Sequence, residues 1–178
     1  VKKLSLKAKA DQKIKDGDVV TNEFDTNNTQ ELLVFYDTDC YKVQLDDISD
    51  SSSNALGEFL PTKLGIDTPI GYSLVDDKYK YLLVLYNNSK IAKVDLNSFK
   101  TESKRKKLSN SLYKDAKVVK MFTLQDDIDV VLTNDKGKEL ELNTSNFNVV
   151  TSRSSQGSFP KSKKNIVDIR LKDLEVTE

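Results

Sequence analysis

An all-β fold built from repeated four-stranded blades is what this sequence predicts, on three observations. Apolar strands and polar turns form hairpins that recur every 48–51 residues. A further strand precedes each hairpin at the same interval. No stretch sustains the i, i+3, i+4, i+7 apolar spacing of an amphipathic helix. The 178 residues allow one domain, two at most.

The hairpins come first. Residues 32–48 read LLVFYDTDCYKVQLDDI, 81–99 read YLLVLYNNSKIAKVDLNSF, and 128–147 read IDVVLTNDKGKELELNTSNF. In each, an apolar strand enters a turn rich in Asp, Asn or Gly: Asp37-Thr38-Asp39, Asn87-Asn88-Ser89 and Asn134-Asp135-Lys136-Gly137. These residue types accept the positive φ that tight hairpin turns demand. A second strand leaves with alternating apolar positions: Tyr41, Val43 and Leu45; Ile91, Val94 and Leu96; Leu140 and Leu142. Anchoring on Ile48, Phe99 and Phe147 gives repeats of 51 and 48 residues.

A third strand is expected before each hairpin, at Val19–Phe24, Ile70–Val75 and Val118–Leu124, and again at Ile166–Leu171. The starts fall 51, 48 and 48 residues apart. The polar connectors leave room for one more strand per unit, so each repeat has the make-up of a propeller-type blade. The expectation is about three to four four-stranded blades in a complete or incomplete disc. Repeat units cover approximately 17–66, 67–117 and 118–164, with flanking strands in 1–16 and 165–178. The chain opens VKKLSLK without an initiator Met or an apolar signal core, and is expected to be a fragment of a longer protein.

Composition narrows the chemistry. There is no histidine and one cysteine, Cys40, which excludes a disulfide framework, Cys/His zinc sites and any triad that needs an imidazole. No apolar run approaches the roughly 18–20 residues that span a bilayer, so a soluble, intracellular, non-enzymatic domain is expected. The pairs Asp46-Asp47, Asp76-Asp77 and Asp126-Asp127 suggest acid–base or metal chemistry, but neighbours on a strand point to opposite faces and do not converge on one substrate. Two of the pairs also fall at equivalent turns of the repeat. Asp37-Thr38-Asp39 imitates the start of a calcium loop without its glycine or terminal Glu. Of the seven tyrosines, Tyr36, Tyr41, Tyr79, Tyr81 and Tyr86 lie in or beside strands and are expected in the sheets. No catalytic residue, metal site or cofactor is expected.

Charge follows the repeat. Lys+Arg and Asp+Glu are both 28, yet residues 1–16 carry +4, 100–117 carry +5 and 148–164 carry +4, while 17–48 carry −7. Connector 49–66 is the exception at −1. Basic connectors on stacked blades would form a segmented positive stripe along one rim. Such a stripe gains free energy from duplex DNA by releasing condensed counterions, independent of base sequence. Aromatic residues do not interleave with these charges, so phosphate contact with duplex is favoured over base stacking.

The blade cores ELLVFYDTDCYKVQL (31–45) and YLLVLYNNSKIAKVDL (81–96), with ALGEFLP (55–61), KTESKRKKLSNSL (100–112) and TSRSSQG (151–157), resemble the C-terminal domain of the A subunit of bacterial type IIA topoisomerases, DNA gyrase or topoisomerase IV. The resemblance covers nearly the whole chain and implies a β-pinwheel, in which neighbouring blades exchange a strand. It implies a non-catalytic domain that binds and bends double-stranded DNA and guides it to the enzyme core for supercoiling or decatenation. The strand-cleaving tyrosine would lie outside this fragment, in an ATP-dependent enzyme. By analogy, DNA contact is carried onto Lys104, Arg105, Lys106, Lys107, Arg153, Lys161, Lys163 and Lys164, and further onto Lys2, Lys3 and Lys7. The partners implied are DNA, the rest of the A subunit and the B subunit, with no membrane, a monomeric isolated domain and a cytoplasmic, nucleoid-associated location in bacteria. No match to the gyrase box, close to Q-R-R-G-G-K-G, is present, and gyrase versus topoisomerase IV stays open. The alternative is a propeller-like protein-interaction module without DNA affinity.

Overall fold

The computed structural model describes residues 1–5 and 11–172. Along them run the hairpin strands β1 (Glu31–Tyr36) and β2 (Asp39–Gln44), a single helical turn α1 (Leu60–Leu64) and β3 (Gly71–Val75). Next come the hairpin β4 (Tyr81–Tyr86) and β5 (Ile91–Asp95), then β6 (Lys107–Leu108) and β7 (Val118–Leu124). A third hairpin, β8 (Asp129–Asn134) and β9 (Glu139–Asn143), is followed by β10 (Val149–Val150) and β11 (Ile166–Leu171). The turns adopt the backbone their sequence announced: Asp37, Ser89 and Gly137 all have positive φ.

Among the described residues these strands form three sheets, ordered β3-β1-β2-β6, β10-β5-β4-β7 and β11-β8-β9. The repeat units and the sheets are therefore out of step. The strand expected before each hairpin pairs instead with the hairpin before it: β3 with β1, β7 with β4, and β11 with β8. The outer strands β6 and β10 are also supplied by the following connector, to β2 and β5. This exchange corrects the expectation for 19–24, which contains no strand. No hairpin precedes it among the described residues, none of their strands pairs with it, and Val19 and Val20 are 77% and 68% exposed. Of the flanking strand expected in 1–16, the described residues show one bridge, Lys3 to Asp50, and residues 6–10 lie outside them.

Period-2 alternation gives the first two sheets two buried faces and the third sheet one, and the sheets stack through them. Leu33, Phe35 and Cys40 of the first sheet share a core with Leu82, Val84 and Tyr86 of the second. The other face of the second, Leu83, Leu85 and Ile91, packs on Val130, Leu132 and Ile169 of the third. Phe35 and Phe99 meet edge to face at 5.7 Å across the first interface, a geometry that adds about 0.5–1.5 kcal/mol to the area buried. Leu32, Val34 and Val43 on the outer face of the first sheet are covered by Leu60 and Leu64 of α1. That turn has Pro61 at its start and Gly65, at φ 66°, as its left-handed cap. It is too short for a helical period to show in the sequence.

Charges also tie the stack. Lys42 and Lys93 occupy equivalent places on β2 and β5 and are 6% and 3% exposed. Lys42 Nζ lies 2.8 Å from Glu31 and donates to Thr101 Oγ1. Lys93 reaches across to the third sheet, donating to Asp127 at 2.5 Å, with its ammonium 4.3 Å from the centre of the Tyr81 ring. Burial disfavours the Asp127 carboxylate, but hydrogen bonds from Lys93 and Thr144 outweigh it and its pKa is lowered. On the inner strands, Ser73 and Thr123 hydroxyls meet at 2.7 Å, and Lys120 pairs with Asp168 at 2.9 Å.

Candidate nucleic-acid interface

A hairpin sheet leaves one outer edge unpaired, and the next connector must reach it, so each connector runs along the rim. Register fixes where its charges fall. In the first sheet Leu108 lies opposite Cys40; in the second, Ser158 lies opposite Ile91, the equivalent position. Lys104–Lys107 therefore match Ser154–Gly157, and Lys161–Lys164 match Ser111–Lys114. The two basic tracts belong to corresponding connectors but sit at different heights on the rim.

Lys104, Arg105 and Lys106 are exposed along the outer edge of the first sheet, where Lys42 N donates to Lys106 O at 2.9 Å. Lys107, on β6, is committed: its ammonium lies 2.9 Å from Asp39 and 5.5 Å from the centre of the Tyr41 ring. The hydrogen bond to the Asp39 carboxylate raises its pKa. Lys161, Lys163 and Lys164 are exposed at the exit of the third connector, with Lys161 and Ser162 both at positive φ. Lys164 Nζ stands 5.6 Å from the centre of the Phe159 ring.

The other predicted residues are placed differently. Arg153 turns inward, donating from Nη1 to Ser98 O at 2.7 Å with its guanidinium over Phe99. It anchors its connector rather than facing solvent. Lys2 donates to Gln12, to Lys13 O and to Ser53 O, while Lys3 donates to Leu45 O and pairs with Asp50. Both serve to dock the first residues against connector 49–58. Lys7 lies outside the described residues.

The structure adds cations that the tracts did not single out. Lys90, Lys114 and Lys117 lie around the β4–β5 turn, and Lys136 and Lys138 sit in the β8–β9 turn, so these join Lys163 and Lys164 at the hairpin-turn end of the sheets. Lys114 and Lys117 stand in the basic connector 100–117, which signalled them; nothing in the sequence places Lys90 beside them. The acidic pairs gather at the opposite end as structural groups: Asp77 pairs with Lys100, Asp126 with Lys80 and Asp127 with Lys93. Among the described residues no cluster of three or more Cys, Asp or Glu side chains could hold a metal ion, and no helix is long and apolar enough to cross a membrane.

No family model matches the sequence, and no curated protein matches it. Solved structures do match the fold. A crystal structure of the C-terminal domain of DNA topoisomerase IV superposes over 97% of this chain with a TM-score of 0.72 and 22% identity. The E. coli ParC C-terminal domain superposes over 90% with a TM-score of 0.62 and 15% identity. The chain spans 58% of the first of these domains and 69% of the second. Three stacked sheets that trade inner strands between successive repeats, superposing on these domains, make this chain a β-pinwheel of the topoisomerase C-terminal-domain type.

Proposed function

We propose that this chain is a DNA-binding and DNA-bending domain of the A subunit of a bacterial type IIA topoisomerase. The observation that carries the reading is the division of its charges. Cations inside the stack are paired with carboxylates, as at Lys42 and Lys93, whereas Lys104, Arg105, Lys106, Lys161, Lys163 and Lys164 stand exposed on the rim. Topoisomerase C-terminal domains with this fold support the same reading.

On this reading the domain performs no chemistry. The rim cations neutralise phosphates and release counterions, giving sequence-tolerant affinity that falls steeply with salt. Because the connectors are carried on successive stacked sheets, a duplex that follows them must curve, and the bending cost of about 1–6 kcal/mol is offset by added phosphate contacts. The bent duplex is presented to the cleaving core, which with its tyrosine and the ATP-driven B subunit belongs to other parts of a cytoplasmic enzyme.

Fluorescence anisotropy with a duplex of about 40 base pairs, titrated from low to physiological salt, tests this. Log affinity should fall linearly with log salt, with a slope of about −0.9 per phosphate neutralised. Absence of binding at the lowest salt would retire the DNA reading in favour of a protein-interaction module.

A further inference from the structure

Two connectors converge on one turn. Asn87 N donates to Lys117 O at 2.8 Å and Lys117 N donates to Asn87 Oδ1 at 3.1 Å, fixing the end of connector 100–117 to the β4–β5 turn. On the other side of the same turn, buried Ser89 donates from Oγ to Lys164 O at 3.0 Å and to Ile166 O at 2.8 Å. The turn thus bolts Lys114 and Lys117 of one connector and Lys163 and Lys164 of the next to a single locality. Lys90, which closes the turn, joins them: its ammonium donates to Gln156 Oε1 and lies 5.2 Å from the centre of the Phe159 ring. Lys164 stands over that same ring at 5.6 Å.

None of these five ammonium groups lies within 4 Å of a carboxylate among the described residues. Asp37 and Asp115 line one concavity together with Asn87, Lys114 and Lys117, and neither carboxylate pairs with those two ammonium groups. Two like charges held at one aromatic ring raise the local potential, and an anion drawn to both relieves their repulsion. The tract at 104–107 is weaker on each count. Lys107 is already neutralised by Asp39, and the remaining three cations lie on the edge of one sheet only.

Resting on the DNA reading above, we infer that the phosphate-contacting surface is centred on the Asn87-Asn88-Ser89 turn. Lys90, Lys114, Lys117, Lys163 and Lys164 carry its contacts, and the 104–106 tract lies at its margin. The duplex backbone crosses the hairpin-turn end of the second sheet and passes from one connector to the next there. The acidic pairs at the opposite end keep it from that side.

Salt-dependent anisotropy with the same duplex compares two variants. Lys114→Gln/Lys117→Gln/Lys163→Gln/Lys164→Gln should lower the magnitude of the log–log slope by about 3–4 and weaken binding at least about tenfold at physiological salt. Lys104→Gln/Arg105→Gln/Lys106→Gln should lower the slope by about 1 or less. A third variant guards against misfolding: Lys114→Gln/Lys163→Gln removes two exposed ammonium groups, keeps both cations at Phe159, and should lower the slope by about 2 with an unchanged melting midpoint. A wild-type slope in the fourfold variant, or a larger loss in the 104–106 variant, overturns the turn-centred surface while leaving DNA binding standing. Failure of the wild-type chain to bind at all overturns both.

Discussion

The connectors 100–117 and 148–164 solve the same problem in different ways. Each must close the outer edge of the preceding sheet. The first does so with a short antiparallel strand, β6, whose Lys107 lies opposite Tyr41 and whose Leu108 lies opposite Cys40. The second runs β10 parallel to β5, loops outward, and returns for a single antiparallel bridge between Ser158 and Ile91. That return requires Gly157. Its φ is 71°, and a Cβ there would sit 2.1 Å from Ile91 O. Arg153 then pins the loop from inside. Equivalent positions therefore carry an exposed lysine paired with Asp39 in one connector and an obligatory glycine in the other. Equivalence along the repeat fixes the path of the chain but not which residues are free to bind a ligand.

The largest effect expected from this contrast is at Gly157. Gly157→Ala should lower stability by at least about 2 kcal/mol, because it combines left-handed backbone strain with a clash against immovable main chain. Urea unfolding measures it, and a cost below about 1 kcal/mol would show that the loop can close by another route. Arg153→Ala should cost about 1–3 kcal/mol, since it strips the stem from the Phe99 ring and removes the hydrogen bond to Ser98 O. Ser103→Ala, at the matching position of the first connector, should be close to neutral.

Cys40 reports on the first edge alone. Burial in the core between the first two sheets, next to Leu108 of β6, pushes its thiol up to about 12, so alkylation at pH 8 should proceed only through opening of the fold. In Gly157→Ala the labelling rate should rise no more than global stability requires; a larger rise would mean that the two edges open together. The smallest effect is at Lys107. Lys107→Ala should leave the melting midpoint unchanged, because an exposed pair contributes little. With its pKa raised, any contribution the pair makes is present below the ordinary lysine value of about 10.4 and is lost as pH climbs through the folded value. A titration to pH 11 checks that sign.

The hairpins were legible because alternation and turn chemistry agree within a few residues, as at Leu82–Tyr86 followed by Asn87-Asn88-Ser89. The position of the inner strands was legible too, but not their partners. Val118–Leu124 lies between two hairpins, and spacing alone cannot say which one it joins. The same ambiguity produced a strand at 19–24 that has no preceding hairpin among the described residues. β6 and β10 are two residues each, below any detectable period. For the interface, charge counting found the basic connectors and could not see which side chains turn inward. Arg153, Lys2 and Lys3 are as cationic in sequence as Lys163, and only packing separates them. Lys90 escaped because its segment, 67–99, is neutral overall.

The exchange of strands sets a timetable for synthesis. The first hairpin is complete at Gln44, but its inner strand ends at Val75 and its outer strand at Leu108. At a ribosomal rate of about 5–20 residues per second, more than 60 further residues must be added, so the first sheet waits roughly 3–12 s for its last strand. A somewhat shorter delay recurs at the second sheet, whose hairpin ends at Asp95 and whose outer strand ends at Val150. Throughout elongation the nascent chain carries an apolar hairpin with open edges, and such edges are where neighbouring chains pair wrongly. Each blade is thus protected only once its successor has been translated.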